Sequence, residues 1–428
     1  MDLVLNHSSS QNPWFLDACD YLRKLGDGEP RVEECPYYEY YNFSKEMGSG
    51  CYAIEGSDWY YEAQFWSEMP DLNLDSEALK NEIEEIAKFW LDLGVGGFRL
   101  DAVKEYYSGN TQANIYFLNW FQETVRSYRE DVYIVGEAWL NMNEYAKYYE
   151  SGIDSLFDFA FADKDGIIAK VLNGSSAGRY GETLASLQET FGQYNEAYID
   201  APFYTNHDMG RSAGYYAGEG SENKTKLAGA MNLFMGGSAF LYYGEELGMK
   251  GSGKDENKRA PMYWSKNDDY AGMCDGPAGM DDFEMKFDSL EEQEKDSASI
   301  YNFYKKVIKI RNQNPEIARG KTEYLRVSQE NTVGDNVLSG NDASTDVSSD
   351  NPLNDTFCVL KKTYEGSEIF IIFHFGESTE DLDLSFTTIN DSEISQDNIC
   401  GELLTGDGMV SITDGILSMP PYSVLVLK

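Results

Sequence analysis

The sequence is short of basic residues and has no long apolar run. Its 428 residues include 34 Lys and Arg against 74 Asp and Glu, a formal net charge of -40. A field of that sign repels phosphate backbones and anionic lipids, so neither a nucleic-acid partner nor a membrane-surface partner is expected. No apolar stretch is long enough to span a bilayer. The first residues show no signal peptide, although a missing front segment would hide one.

Cysteine and histidine are also scarce. The six cysteines form no CxxC pair, which argues against a zinc site and against a dense disulfide framework. We expect most of them to be free thiols, while a bridge between Cys35 and Cys51 stays open. Of the three histidines, His7 and His207 lie next to Asn or Asp, whereas His374 lies in a predicted β-strand and has a structural role there.

The residues that are present favour a large globular core, since 42% are hydrophobic and 14% aromatic. Short apolar runs alternate with helical patterns over the first two thirds, which is typical of a parallel sheet wrapped by helices. The predicted strands of this part are residues 3–5, 97–100, 132–135, 155–161, 197–204 and 239–243. Amphipathic helices are predicted at 76–93, ended by Gly94, and at 297–312, followed by Pro315.

Two further regions differ from this β/α part in length and in their pattern of apolar residues. Residues 8–74 are too many for an ordinary strand-to-helix connection and predict an inserted domain. After Gly320, strands at 357–362, 368–375, 382–386 and 423–427 predict an antiparallel β domain. Within it, residues 341–356 are polar and predict a flexible loop. The predicted domains are therefore 1–7 with 75–318, the insertion 8–74, and the C-terminal domain 319–428.

Four predicted strands end in charged or imidazole side chains, where a structural strand would end in a turn. The segments are DLVLNH (2–7), GFRLDAVK (97–104), VGEAW (135–139) and FYTNHD (203–208). In a parallel barrel the carboxyl ends of the strands lie on one face, so these side chains should converge on one pocket. A single segment is better explained by a salt bridge or a satisfied core histidine, whereas four together predict an active site.

The carboxylates in these segments are Asp101, Glu137 and Asp208. Hydrolysis of a glycosidic bond requires one carboxylic acid to protonate the leaving oxygen and one carboxylate to attack the sugar. Arg99 lies two residues before Asp101, on the same side of the strand, and should keep it ionised. The apolar neighbours Ala138 and Trp139 should hold the pKa of Glu137 high enough for the acid role.

In this order, and with MPDLN (69–73) and RAPMYW (259–264), the motifs resemble the α-amylase family of retaining glycoside hydrolases, glycoside hydrolase family 13, over nearly the whole chain. The resemblance implies an α/β fold: a (β/α)8 TIM-type barrel with an inserted domain B and a C-terminal β-sandwich. It implies Asp101 as nucleophile, Glu137 as general acid/base and Asp208 as a third carboxylate that binds sugar hydroxyls. It further implies sugar contacts from His7, Arg99 and His207, and we expect Lys104 and Trp139 to contact the substrate beyond the scissile bond.

The same resemblance concerns the start of the chain and a metal. DLVLNH resembles the end of the third barrel strand, and six strands are predicted where a closed barrel has eight. We therefore expect two β/α units to be missing in front. Asn6 matches an asparagine that binds calcium in the family, with further oxygen ligands expected from domain B. Glu105 stands where many members have a histidine whose carbonyl binds this ion.

The implied reaction is hydrolysis of α-1,4-glucosidic bonds in starch or maltooligosaccharides by double displacement. An oligo-1,6-glucosidase, a cyclomaltodextrinase or a 4-α-glucanotransferase would use the same residues and stays open. A catalytically inactive carbohydrate-binding or partner protein is the alternative outside enzymes, and the intact carboxylates argue against it.

We expect a monomer at an extracellular or cell-surface location, with a cytoplasmic location open. Rings of DWYYEAQFW (58–66) should partly stack on sugar and partly fill the domain B core.

Overall fold

The computed structural model describes residues 1–26, 28–267, 269–327, 332–333, 356–389 and 392–428. They form two compact units. The first unit comprises Met1–Phe157 and Phe191–Tyr198, and the second comprises Asp158–Thr190 and Ile199–Lys428. The flexible loop predicted at 341–356 lies outside the described residues apart from Thr356. The domain boundaries drawn from the sequence stay a prediction.

The first unit carries a parallel sheet, four α-helices and a small antiparallel sheet. Its elements are β1 (Asp2–Leu3), α1 (Pro13–Leu25), β2 (Phe43–Ser44), β3 (Cys51–Ala53), β4 (Tyr60–Glu62), α2 (Glu77–Asp92), β5 (Gly97–Leu100), α3 (Thr111–Tyr128), β6 (Tyr133–Gly136), α4 (Met142–Tyr145) and β7 (Ser155–Leu156), with 3-10 turns at Pro36–Tyr40 and Ala146–Ser151. The parallel sheet has the order β1-β5-β6-β7. In its register Asp2 lies opposite Arg99, and Arg99 lies opposite Val135.

Helix α2 shows why the sequence folds as it does locally. The Ser76 hydroxyl accepts a hydrogen bond from the Leu79 amide at 3.2 Å and caps the first turn. Leu79, Ile83, Ala87 and Leu91 are spaced four apart and buried. Burial of each larger apolar side chain stabilises the fold by about 1.5–3 kcal/mol. The helix ends before Gly94, whose φ of 96° suits glycine, so the helix predicted at 76–93 is confirmed.

Residues 8–74 fold around their own aromatic core beside the sheet β2-β4-β3. The Phe15 ring packs edge-on against Tyr61 at 4.9 Å and against Tyr41 at 5.1 Å between centroids. The bridge that the sequence left open in this region does not form, because Cys35 and Cys51 are free, as are the other four cysteines. The core of this region is therefore built from aromatic contacts and, among its described residues, contains no disulfide.

The second unit joins helices to a C-terminal antiparallel domain. Its helices are α5 (Ile167–Leu172), α6 (Gly178–Gly192, ending in the first unit), α7 (Ser221–Phe234), α8 (Asp255–Lys258), α9 (Leu290–Gln293), α10 (Ile300–Gln313) and α11 (Pro315–Arg319). Its strands are β8 (Lys321–Leu325), β9 (Thr332–Val333), β10 (Phe357–Tyr364), β11 (Ser367–His374), β12 (Glu380–Asp383), β13 (Ile399–Leu404), β14 (Ser411–Thr413), β15 (Ile416–Met419) and β16 (Ser423–Leu427). Two antiparallel sheets, β13-β16-β11-β10-β8 and β14-β15-β12-β9, confirm the predicted β domain.

Two predicted strands of the β/α part, 197–204 and 239–243, are wrong, because these described segments form no regular strand. They make isolated backbone bonds instead, from the Ser238 amide to the Asp200 carbonyl at 2.8 Å and from the Phe240 amide to the Pro202 carbonyl at 2.7 Å. Pro202 has no N–H to donate and interrupts the ladder. Among the described residues, no helix is both long and apolar enough to cross a lipid bilayer.

Candidate active site

Arg99 is the centre of the charged cluster in the first unit. Along β5 the side chains alternate, so Phe98 and Leu100 are buried while Arg99 points to the other face. Its guanidinium pairs with Glu137 Oε1 at 2.9 Å, with Asp2 Oδ1 at 3.0 Å and with Asp101 Oδ1. Burial alone would lower the pKa of Arg99, but Glu137, Asp101 and Asp2 outweigh burial and raise it. Arg99 therefore stays charged and balances three carboxylates.

The backbone after Asp101 leaves the strand sharply and reaches Glu137. Ala102 has a φ of 47°, in the left-handed region that costs an alanine about 1–2 kcal/mol. The Ala102 amide lies 3.4 Å from Glu137 Oε2, and the Val103 amide donates to the Glu137 carbonyl at 2.9 Å. The structure therefore brings the predicted nucleophile and the predicted acid together, next to a strained residue.

The surroundings of Glu137 are more polar than the sequence suggested. The residue is 7% exposed and Ala138 is fully buried, whereas Trp139 is 46% exposed. One charged partner of Glu137 is Arg99, whose Nη2 lies 2.9 Å from Glu137 Oε1. The role of Glu137 as general acid is exercised in the substrate complex, where catalytic hydrogen bonds often form fully. That role stays a prediction.

His7 lies on the side of this cluster that faces the inserted region. Burial lowers the pKa of His7, and the charge of Asp101 partly opposes this. The His7 ring meets the Phe65 ring edge-on at 5.5 Å between centroids. Phe65 and its neighbour Trp66 are 48% and 59% exposed, while Trp59 and Tyr61 are buried. The aromatic segment is thus divided between core rings and exposed rings, as predicted.

Asn6, the predicted calcium ligand, is buried against a carboxylate. Its Nδ2 donates to Asp71 Oδ1 at 3.3 Å. Burial raises the pKa of Asp71 to about 6; the Gln64 amide opposes the shift, while Glu62 and Glu105 add to it. The described residues hold no group of three or more His, Cys, Asp or Glu arranged for a metal. Buried amide and carboxylate oxygens are nonetheless the donors that calcium prefers, so Asn6 and Asp71 fit such an ion chemically.

Lys104, a predicted substrate contact, is engaged within the protein. Its ammonium pairs with Glu105 Oε1 at 2.7 Å, and its side chain is 32% exposed. Its carbonyl accepts a hydrogen bond from the Asn114 amide group at 2.8 Å. Reaching a sugar would require Lys104 to share its ammonium between Glu105 and the substrate, and the contact stays a prediction.

Asp208 and His207 belong to the second unit, where they form a charged cluster with two basic residues. His207 Nε2 lies 3.2 Å from Asp208 Oδ2, and Arg259 Nη2 lies 3.0 Å from Asp208 Oδ1. Lys258 Nζ donates to the Asp208 carbonyl at 2.9 Å. Neither Arg259 nor Lys258 is predicted in the site from the sequence, although Arg259 is the first residue of the RAPMYW motif. The convergence of Asp208 with the carboxylates of the first unit stays a prediction.

Carboxylates at the carboxyl ends of parallel strands, together with a C-terminal antiparallel domain, define a β/α-barrel class of protein with its chemistry at the strand ends. The particular family follows from comparison with known sequences. The chain belongs to the α-amylase family, because residues 1–320 match the family model for the α-amylase catalytic domain. This confirms the family and the fold class expected from the motifs.

Known relatives and solved structures agree with this assignment. Alpha-amylase 3 of Dictyoglomus thermophilum is 37% identical over 344 residues, which cover 76% of this chain and 62% of that protein. The glucan 1,6-alpha-glucosidase of Streptococcus pneumoniae is 26% identical over 390 residues, covering 76% and 70% respectively. The solved structure of Eubacterium rectale Amy13B is 45% identical, with a TM-score of 0.90, and the match covers all of this chain and 78% of that one.

Proposed function

We propose that the chain is a retaining glycoside hydrolase that cleaves α-1,4-glucosidic bonds in starch or maltooligosaccharides. The observation that carries the proposal is the pair Asp101 and Glu137, which follow neighbouring strands and share one arginine. A retaining mechanism requires two carboxyl groups near one glycosidic bond. Membership of the α-amylase family supports assigning them to this chemistry.

In the proposed reaction Asp101 attacks the anomeric carbon while Glu137 protonates the departing oxygen. The resulting glycosyl ester on Asp101 is hydrolysed by water, from which Glu137 takes a proton. Arg99, which pairs with Asp101, balances the negative charge of the attacking carboxylate. Asp208, His7 and His207 hold hydroxyl groups of the sugar at the cleavage point, and Lys104 and Trp139 contact units beyond it.

The linkage is the finer part of the proposal. The relative named as an α-amylase is more similar to this chain, at 37% identity, than the glucan 1,6-alpha-glucosidase, at 26%. This supports α-1,4 over α-1,6 cleavage. An oligo-1,6-glucosidase, a cyclomaltodextrinase and a 4-α-glucanotransferase are distinguished by their products. An inactive carbohydrate-binding protein would retain none of these activities.

The test is incubation of the purified chain with maltoheptaose and, separately, with isomaltose, followed by chromatography of the products. We expect maltose and maltotriose from maltoheptaose only. The matched control is Asp101→Asn, which keeps the shape of the side chain and removes the nucleophile. Cleavage of isomaltose alone would reassign the linkage. Equal cleavage by the wild type and the Asp101→Asn variant would refute Asp101 as the nucleophile.

We also propose that calcium binds at Asn6 and Asp71. The support is their shared burial and the extra negative charge of Glu62 and Glu105 nearby. The melting temperature should be several degrees higher in calcium than in a chelator. The Asp71→Asn substitution should remove this difference. Equal melting of the wild type in both buffers would contradict the site.

A further inference from the structure

The carboxylate of Asp208 has a close neighbour at each of its two oxygens. Arg259 Nη2 donates to Oδ1 at 3.0 Å, and His207 Nε2 lies 3.2 Å from Oδ2. The Lys258 ammonium also binds the Asp208 carbonyl at 2.9 Å, so the backbone is fixed together with the side chain. Neighbours at both oxygens restrict the rotation of a carboxylate more than a single ion pair does.

Arg259 is itself fixed by its neighbours. It follows helix α8, whose first residue, Asp255, lies 2.9 Å from the Lys258 ammonium and 3.5 Å from Arg259 Nη1. This spacing of three and four residues is favourable for ion pairs on a helix. A single carboxylate therefore aligns both cations that hold Asp208.

The backbone on either side of Arg259 is anchored by two tyrosines. The Tyr242 hydroxyl donates to the Lys258 carbonyl at 3.2 Å, and the Tyr243 hydroxyl donates to the Ala260 carbonyl at 2.7 Å. Gly251 packs against this segment so closely that a Cβ there would lie 2.1 Å from the Asn257 carbonyl oxygen. The chain thus has little freedom at Arg259.

The ion pair between Arg259 and Asp208 should contribute little to stability, because the two side chains are 39% and 37% exposed. Ion pairs with such exposure are screened by water and typically contribute about 0–1 kcal/mol. These contacts orient the carboxylate but stabilise the fold little. A role in orienting Asp208 for substrate therefore explains them better than a role in stability. We propose that Arg259 is a positioning residue that holds Asp208 in the geometry required for binding sugar hydroxyls, and that Asp255 acts through Arg259.

The inference rests on the proposed function, in which Asp208 grips the sugar as the transition state forms. Misplacement of such a group by about 1 Å can cost about 100-fold in rate. Arg259→Gln should therefore lower kcat on maltoheptaose roughly 30-fold, with a much smaller change in KM. Arg259→Lys keeps the charge and should recover part of the loss.

The deciding experiment is a double-mutant cycle between Arg259→Gln and Asp208→Asn, measured on an activated aryl maltooligoside so that slow variants remain measurable. If Arg259 acts through Asp208, Arg259→Gln should cost less than about threefold in the Asp208→Asn background. The matched control is Lys254→Gln, which removes a cation of the same loop that pairs with Asp281. It should keep wild-type kinetics.

Additive losses in the cycle, or an equal loss from Lys254→Gln, would overturn the positioning role. So would an Arg259→Gln variant whose reduced rate is matched by a large fall in melting temperature. Absence of hydrolysis by the wild type on every α-glucan would instead refute the proposed function, and the inference with it. The two failures are therefore distinguishable.

Discussion

Asp101 and Asp208 are each held by an arginine, but the two ion pairs lie in different surroundings. The Arg99 side chain is 14% exposed and serves three carboxylates, whereas Arg259 is 39% exposed and binds a carboxylate that is 37% exposed. Charges that are shielded from water are costly when a partner is lost, while half-exposed charges are resolvated. The first arginine should therefore matter for stability and activity, and the second for activity alone.

The largest effect should follow Arg99→Met, which leaves Asp2, Asp101 and Glu137 without their shared cation. We expect the free energy of unfolding to fall by about 3–5 kcal/mol, as when one partner of a buried pair is removed. Urea unfolding measures this fall. Arg31→Met is the matched control, because Arg31 is 64% exposed. A loss from Arg99→Met no larger than that of the control would remove the contrast between the two sites.

The backbone beside Asp101 provides the second prediction. Ala102→Val should cost about 1–2 kcal/mol, because a β-branched side chain at positive φ adds to strain already present. Ala138→Val controls for the added volume, since Ala138 is also buried but is not among the residues with positive φ. Urea unfolding of both variants gives the comparison. Equal losses would mean that packing, rather than backbone strain, limits position 102.

Arg259→Met completes the comparison with Arg99→Met. Its free energy of unfolding should fall by no more than about 1 kcal/mol, because the pair it breaks is half exposed. The same variant should lose most of its kcat. A stability loss as large as that of Arg99→Met would show that the loop around Arg259 depends on this ion pair for folding.

The sequence predicted what depends on local signals. Helix α2 was placed within a residue at each end, because the cap at Ser76 and the stop at Gly94 are local features. Arg99 and Asp101 were correctly expected on one side of their strand, since the alternation of a strand is also local. The positions of these residues could therefore be predicted without the rest of the fold.

What the sequence did not reveal depends on register and on distant contacts. Asp2 joins Arg99 because β1 pairs with β5 in a register that places the two residues opposite each other. Arg259 lies 51 residues beyond Asp208, and no periodic pattern links them. The strand predicted at 197–204 is wrong because the prediction relied on an apolar run and ignored Pro202. Proline has no N–H to donate to a strand ladder.

The smallest effect concerns His7, which is partly buried against Phe65 beside the Asp101 cluster. Burial lowers its pKa in the folded state, while the unfolded chain keeps about 6.5. Between those two values the unfolded state binds more protons, so the contribution of His7 to stability falls as the pH drops through 6.5.

His7→Gln should therefore lose less stability than the wild type between pH 7.5 and pH 5 in urea unfolding. Phe65→Ala admits water to the ring and should weaken the dependence in the same direction. Parallel curves for all three proteins would mean that burial of His7 does not control its protonation.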